Sequence, residues 1–94
     1  MSLPVYWTPT ARDDYNHLLK ILEEEKTLQS VQEFLDNTEA TIAKIKENPR
    51  SFPNFDHNDR FRIADINDQT SIIFQAARVN SRVLYFWDKR KKDG

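Results

Sequence analysis

The residues able to do chemistry in this sequence crowd into its second half: Arg62, Arg78, Arg82, Tyr85, Trp87, Lys89 and Arg90. Arginine clamps a phosphate with two parallel hydrogen bonds, and tyrosine donates a proton or stacks on a base. Arg62, Arg82 and Tyr85 could therefore converge on a phosphate, and they are the candidate catalytic set only if that phosphate belongs to an RNA whose 2′-hydroxyl attacks it. That reaction needs a base for the hydroxyl, an acid for the departing 5′ oxygen and cations for the phosphate charge. Histidine, a natural base, occurs only as His17 and His57. His17 falls on an expected helix away from any sheet, and His57 falls in an expected loop, where a solvated side chain is the default. Arg62 and Arg82 read as readily as exposed strand residues. Alternation puts Tyr85 on one strand face with Val83 and Trp87, which favours a place in the core.

A second candidate surface is Trp87-Asp88-Lys89-Arg90, a ring beside a cationic run, which suits a partner or target interface. The plainer reading of the same residues is a sheet edge with a solvated end. Glu23-Glu24-Glu25 reads as a solvated helix terminus. There is no cysteine, and no His, Asp or Glu cluster shows ligand spacing, so neither a disulfide nor a metal site is expected. The only glycine is Gly94, which excludes a glycine-rich phosphate loop and a dinucleotide fingerprint. No cofactor is expected.

Charge is uneven along the chain. Residues 1–47 hold nine acids and five bases, and residues 48–94 hold six acids and nine bases, within a net charge of −1. A basic end on an acidic body makes a directed electrostatic patch. No apolar run approaches the roughly 18 residues that span a bilayer. Pro4 interrupts Met1–Thr8 and no apolar stretch follows it, so no signal peptide is expected; together with the missing cysteines this fits the cytoplasm.

The elements that must position these residues follow from periodicity and caps. At 94 residues the chain is one domain's worth. A domain of this size buries only roughly 60–65% of its unfolded surface, so its six Phe, three Tyr and two Trp must supply the core. Val5-Tyr6-Trp7-Thr8 reads as a strand. Thr8-Pro9 then opens a helix: Thr8 caps its free amides, Pro9 suits its first turn, and Asp13 and Asp14 suit its positive end. Ala11, Tyr15, Leu18, Leu19 and Leu22 form its apolar stripe, ending near Glu24 or Glu25. Thr27 caps a second helix whose stripe runs from Leu28 to Ile45, with Lys44 and Lys46 at its negative end, and Asn48-Pro49 stops it. So short a link makes the two helices an antiparallel hairpin. Residues 49–59 are expected as loop, with Phe52 and Phe55 under the sheet. Three strands follow, Phe61 to Ile66, Ser71 to Ala77 and Arg82 to Trp87, turned at Asn67-Asp68 and Asn80-Ser81. The last strand is apolar on both faces and so should be central. The chain from Asp88 onward is expected to be basic and frayed.

The order strand, capped helix, helix, loop, three strands, filled with these residues, resembles the RelE/ParE superfamily of bacterial type II toxin–antitoxin toxins, the plasmid stabilisation family. The likeness runs through Val5-Tyr6-Trp7-Thr8-Pro9-Thr10-Ala11-Arg12-Asp13-Asp14-Tyr15, the Phe34–Ile45 helix, Asn48-Pro49-Arg50-Ser51-Phe52-Pro53, Arg62, Ser71-Ile72-Ile73-Phe74 and Val83–Arg90. It implies an α+β fold, a helical hairpin packed on a small, mainly antiparallel twisted sheet.

The resemblance also implies a growth-inhibiting toxin neutralised by a cognate antitoxin. A ParE-like member poisons DNA gyrase by binding it, and a RelE-like member cleaves mRNA on the ribosome without a metal. The nuclease branch often places His or Tyr where this chain has Phe86 and Trp87, and ribosome-directed nucleases are usually strongly basic. Both departures favour the ParE-like reading over the RelE-like one. A third reading is a degenerate member that only binds its partner. All three imply an antitoxin covering a sheet edge or lying along the helices, and an exposed apolar groove near the last strand and the second helix.

Overall fold

The computed structural model describes residues 2–89. Its elements run β1 (Val5–Trp7), α1 (Pro9–Glu25), α2 (Leu28–Glu47), a single 3₁₀ turn (Pro49–Ser51), β2 (Asn54–Phe55), β3 (Asn58–Asp65), β4 (Thr70–Ala76) and β5 (Ser81–Asp88). The strands form one sheet in the order β1-β5-β4-β3-β2. β1 runs parallel to β5, and every other pair is antiparallel. The helical hairpin on a mainly antiparallel sheet is the expected α+β architecture.

Local chemistry sets the helix limits. The Thr8 hydroxyl accepts the Ala11 N–H at 3.1 Å with Pro9 in the first turn, and the Thr27 hydroxyl accepts the Ser30 N–H at 3.2 Å. Lys44 and Lys46 lie in the last turn of α2, beside its negative end. Asp13 and Asp14 are not in the first turn of α1. Asp14 serves the sheet instead, where its Oδ2 accepts the backbone N–H of Phe86 at 3.1 Å.

The core lies between the helices and one face of the sheet. Ala11, Phe34 and Ile45 from the helices meet Ala64, Ile72, Phe74, Val83 and Phe86 from the strands. Trp7, Tyr15 and Phe86 form a ring cluster with centroids 5.2 Å apart in each pair, and Tyr15 stacks on Phe34 at 5.6 Å, which ties β1, α1, α2 and β5 together.

β5 departs from simple alternation. Ile73 pairs with Tyr85 and Phe74 with Val83, so Leu84 is an extra residue, a bulge. Val83 and Phe86 therefore both face the helices, while Tyr85 and Trp87 face away. The expected grouping of Val83 with Tyr85 and Trp87 is wrong for this reason, and so is the expected core position of Tyr85. The bulge also turns Arg82 and Tyr85 to the same face. Its free carbonyl is used: the Thr8 hydroxyl donates to Leu84 O at 2.8 Å.

The segment 49–59 is not all loop. Phe55 and Asn58 pair across a tight hairpin whose central residues, Asp56 and His57, have φ of 54° and 59°. Two consecutive positive φ values are the mark of a type I′ turn, which Asp tolerates without glycine. Phe52 packs edge-on against Phe74 on the helix side, as expected. Phe55 does not follow it but meets Trp87 edge-on at 5.2 Å on the other face. Nor does the chain fray at Asp88: that residue pairs with Thr70, and the Lys89 N–H donates to Gln69 O at 2.8 Å.

Candidate functional site: the open face of the sheet

The helices cover one face of the sheet. The other carries Tyr6 on β1, Arg82, Tyr85 and Trp87 on β5, Gln75, Ile73 and Ser71 on β4, and Ile63 and Asp65 on β3. Register makes them neighbours, because Tyr6 pairs with Arg82, Arg82 with Gln75, Tyr85 with Ile73 and Trp87 with Ser71. Ile73 has no solvent exposure although no helix lies over it, so the side chains of this face roof their own floor. Tyr6 stands out at 58% exposure beside the exposed Arg82. Among the described strand residues, the result is a surface of rings around Arg82.

Tyr85 is half-buried there. Burial raises the pKa of its hydroxyl, and the negative charge of Asp56 raises it further. A tyrosine in that setting stays protonated. It can donate a hydrogen bond or stack, but it is poorly suited to remove a proton.

Arg62 does not join this group. It pairs with the core residue Phe74, which puts its side chain on the helix face of the sheet. Its Nη1 donates to Phe52 O at 2.6 Å and to Arg50 O at 3.3 Å, closing the turn that follows α2. Of the three candidate catalytic residues, Arg82 and Tyr85 share a face and Arg62 braces a loop behind it. His57 sits at the exposed β2–β3 turn and, among the described residues, makes no hydrogen bond to Arg82 or Tyr85. His17 is exposed on α1, on the other side of the sheet.

The candidate interface residues are distributed in another way. Trp87 lies against Phe55 on the open face. The Lys89 ammonium donates to Asp65 Oδ1 at 3.3 Å, and the Ser71 hydroxyl donates to the same oxygen at 2.6 Å. The Ser71 bond, more than Lys89, holds the Asp65 carboxyl below its ordinary pKa. Lys89 is thus tied to the rim of the sheet. Asp88 ends β5, and Arg90 lies outside the described residues.

A groove of about 230 Å³ does lie beside the last strand, but the first helix lines it, through Asp14, His17, Leu18 and Ile21, against Phe86, Trp87 and Asp88. The expectation that the second helix would form it fails because β1 pairs with β5 only as far as Val83. Beyond that point α1 takes the place of a strand neighbour, with Asp14 satisfying the Phe86 N–H. Among the described residues no group of three His, Cys, Asp or Glu is placed to hold a metal, and no helix is long and apolar enough to cross a membrane.

Sequence reasoning overlooked Tyr6, whose signal was its place between Val5 and Trp7: two inward residues in a strand require the one between them to face out. It also overlooked Asp56, whose closeness to Tyr85 depends on a hairpin with no glycine to announce it.

No protein-family model matches the sequence, and no curated protein matches it significantly. Solved structures do match the fold. The chromosomal ParDE toxin–antitoxin system of P. aeruginosa superposes with a TM-score of 0.76 at 9% identity, over 93% of this chain and 96% of that one. The E. coli DinJ–YafQ toxin–antitoxin complex matches with a TM-score of 0.66 at 10% identity over the whole of both chains. The YoeB/ParE toxin from Agrobacterium tumefaciens matches with a TM-score of 0.63 at 11% identity, over 92% of this chain and 98% of that one. With its helical hairpin packed on a five-stranded mixed sheet, this chain has the fold of the ParE/RelE-type toxins.

Proposed function

We propose that this chain is the toxin of a type II toxin–antitoxin module, that it acts in the ParE-like manner by binding a macromolecular target, with DNA gyrase the candidate, and that a cognate antitoxin neutralises it. The fold supports the toxin role, since its neighbours include the ParDE, DinJ–YafQ and YoeB/ParE proteins. The make-up of the open face supports binding over cleavage. Among the described strand residues it offers one arginine, Arg82, because Arg62 is engaged with the Phe52 carbonyl at 2.6 Å. Its tyrosine holds its proton through burial. Among the described residues, a surface of Tyr6, Tyr85 and Trp87 around Arg82 has the composition of a protein-binding hot spot, and no histidine hydrogen-bonds to Arg82 or Tyr85 there.

One observation favours the RelE-like reading: the bulge at Leu84 brings Arg82 and Tyr85 to a common face, where a phosphate could meet a cation and a proton donor.

The test is induction of the chain alone and together with the adjacent small reading frame, with growth, DNA supercoiling and translation read separately. The proposal expects arrest by the lone chain, rescue by the co-expressed frame, and relaxed DNA while translation persists. Growth unaffected by the lone chain overturns the toxin role. Blocked translation with intact supercoiling selects the nuclease.

A further inference from the structure

We propose that the end of the molecule where β4 turns into β5 binds duplex DNA through its phosphate backbone, without reading its sequence. The folded chain is electrically polar. Residues 44–62 and 76–82 carry seven bases against three acids, and the other described residues carry four bases against eleven acids. Backbone contacts gather the two basic segments at one end. The Leu3 N–H donates to Lys46 O at 3.0 Å and the Ser81 N–H to Pro4 O at 2.9 Å, so the last turn of α2 lies by the start of β5. Ser81 pairs with Ala76 at the end of β4, and Arg62 of β3 pairs with Phe74. The Arg50 carbonyl accepts the Arg62 guanidinium at 3.3 Å. The inference rests on this placement of charge and stands whether or not the chain is a toxin.

The cations of this pole are available. Lys44, Lys46, Arg50, Arg60, Arg78 and Arg82 are all exposed. The one ion pair among the described residues, Asp65–Lys89, joins the far ends of β3 and β5. Arg62 adds its charge while its Nη1 stays on the Phe52 carbonyl. Five of the seven bases are arginine, whose planar fork meets a phosphate with two parallel bonds. Most acids stand elsewhere, Glu23, Glu24 and Glu25 at the end of α1 among them. A charge distribution of this kind turns the basic pole toward a polyanion and the acidic remainder away from it.

Chemistry selects the polyanion. A protein interface wants a centre depleted of charge, whereas here the bases run from Lys44 on α2 across to Arg82 on β5. Single-stranded nucleic acid is held by rings that stack on its bases. The exposed rings of this chain lie on the open face of the sheet, and Phe52, two residues after Arg50, packs edge-on against Phe74 of the core. A duplex asks only for cations facing a rigid row of phosphates. The ends of β1, β5, β4 and β3 span about 14 Å at the usual strand spacing. Over that length a duplex presents about eight charges. With half of them on its far side, about four phosphates meet the pole.

The test is fluorescence anisotropy of a labelled DNA duplex of arbitrary sequence, about two helical turns long, titrated with the full chain at a series of salt concentrations. Four phosphate contacts give a slope of roughly −3.6 for log affinity against log salt, and so a loss of about a hundredfold between about 50 and 200 mM. Arg50→Gln/Arg60→Gln/Arg78→Gln should flatten that slope by about 2–3 and weaken binding at low salt by about tenfold or more. Glu23→Gln/Glu25→Gln, at the acidic end, should leave the slope as it is. Urea unfolding checks that the triple variant is folded. Should it be destabilised, Arg78→Gln alone replaces it, with the slope flatter by about 1. No saturable binding at low salt, affinity indifferent to salt, or an unchanged slope in the arginine variants overturns the proposal. Equal or tighter binding of single-stranded RNA or of polyglutamate overturns it too, by giving the pole to a different partner.

Discussion

Thr8 joins two elements with one hydroxyl, and replacing it by valine should cost more than loss of an ordinary helix cap. The side chain accepts the Ala11 N–H at 3.1 Å and donates to the Leu84 carbonyl at 2.8 Å, across 76 positions of sequence. Valine keeps the shape and removes both bonds. The lost cap costs about 1 kcal/mol. The carbonyl of the bulge, partly buried, is left without its donor at a further cost of about 1–2 kcal/mol. The sum, about 2–3 kcal/mol, is a large share of the roughly 5–14 kcal/mol expected for a chain of this length. Thr27 is an internal control. It caps α2 through Ser30 alone, at an exposed site, so Thr27→Val should cost only about 1 kcal/mol. Urea unfolding followed by circular dichroism measures both. With a slope of about 1 kcal/mol per molar, the Thr8→Val midpoint should fall by about 2–3 M and that of Thr27→Val by about 1 M. A Thr8→Val loss no larger than that of Thr27→Val would refute the coupling of α1 to the bulge.

Further expectations follow from other contacts. His57→Gly should raise the melting temperature by several degrees, because a residue at φ 59° gives up strain of about 1 kcal/mol when its Cβ is removed; calorimetry showing no rise contradicts the turn assignment. Arg62→Gln should lose about 1.5–3 kcal/mol in urea unfolding, since a charged donor to Phe52 O and Arg50 O disappears, and a neutral effect would free Arg62 for another role. Tyr15 and Tyr85 both have raised pKa values, chiefly from burial. The folded state therefore holds these protons more tightly than the unfolded chain, and stability should decline as pH climbs past about 10; denaturant midpoints that stay flat through that range would count against buried tyrosines. Asp65 has the opposite shift, so the stability it contributes should disappear as pH falls below about 4. Ser71→Ala should reduce that acid dependence, as followed by midpoints at low pH.

Most of the fold was legible because local chemistry announced it. Thr8-Pro9, Thr27 and Asn48-Pro49 carry their own start and stop signals, and α1 and α2 begin and end where those residues place them. The hairpin turn near Asn67 was equally readable: its side-chain oxygen accepts the Gln69 and Thr70 N–H groups. What stayed hidden depends on pairing between distant segments. The bulge at Leu84 arises from the match of β5 to β4 and to the Thr8 hydroxyl, neither of which is visible in Ser81–Asp88 taken alone. Alternation carried past that point assigned the wrong face to Val83, and with it the wrong environment to Tyr85. Arg62 was misplaced for a related reason. Its identity as a cation said nothing of the carbonyls of Arg50 and Phe52, which reach it only after α2 ends and the chain turns back. The β2 hairpin was invisible because Asp56 and His57 take backbone angles usually given to glycine.

The sharpest measurement is to map mRNA 5′ ends in a translating extract supplied with the purified chain. A face with Arg82 and a protonated Tyr85, and with no histidine bonded to either among the described residues, should leave the transcripts whole, and the same preparation should inhibit purified gyrase. New ends within coding sequence, lost on Arg82→Ala, would contradict the account and make the ring-lined face a nuclease centre.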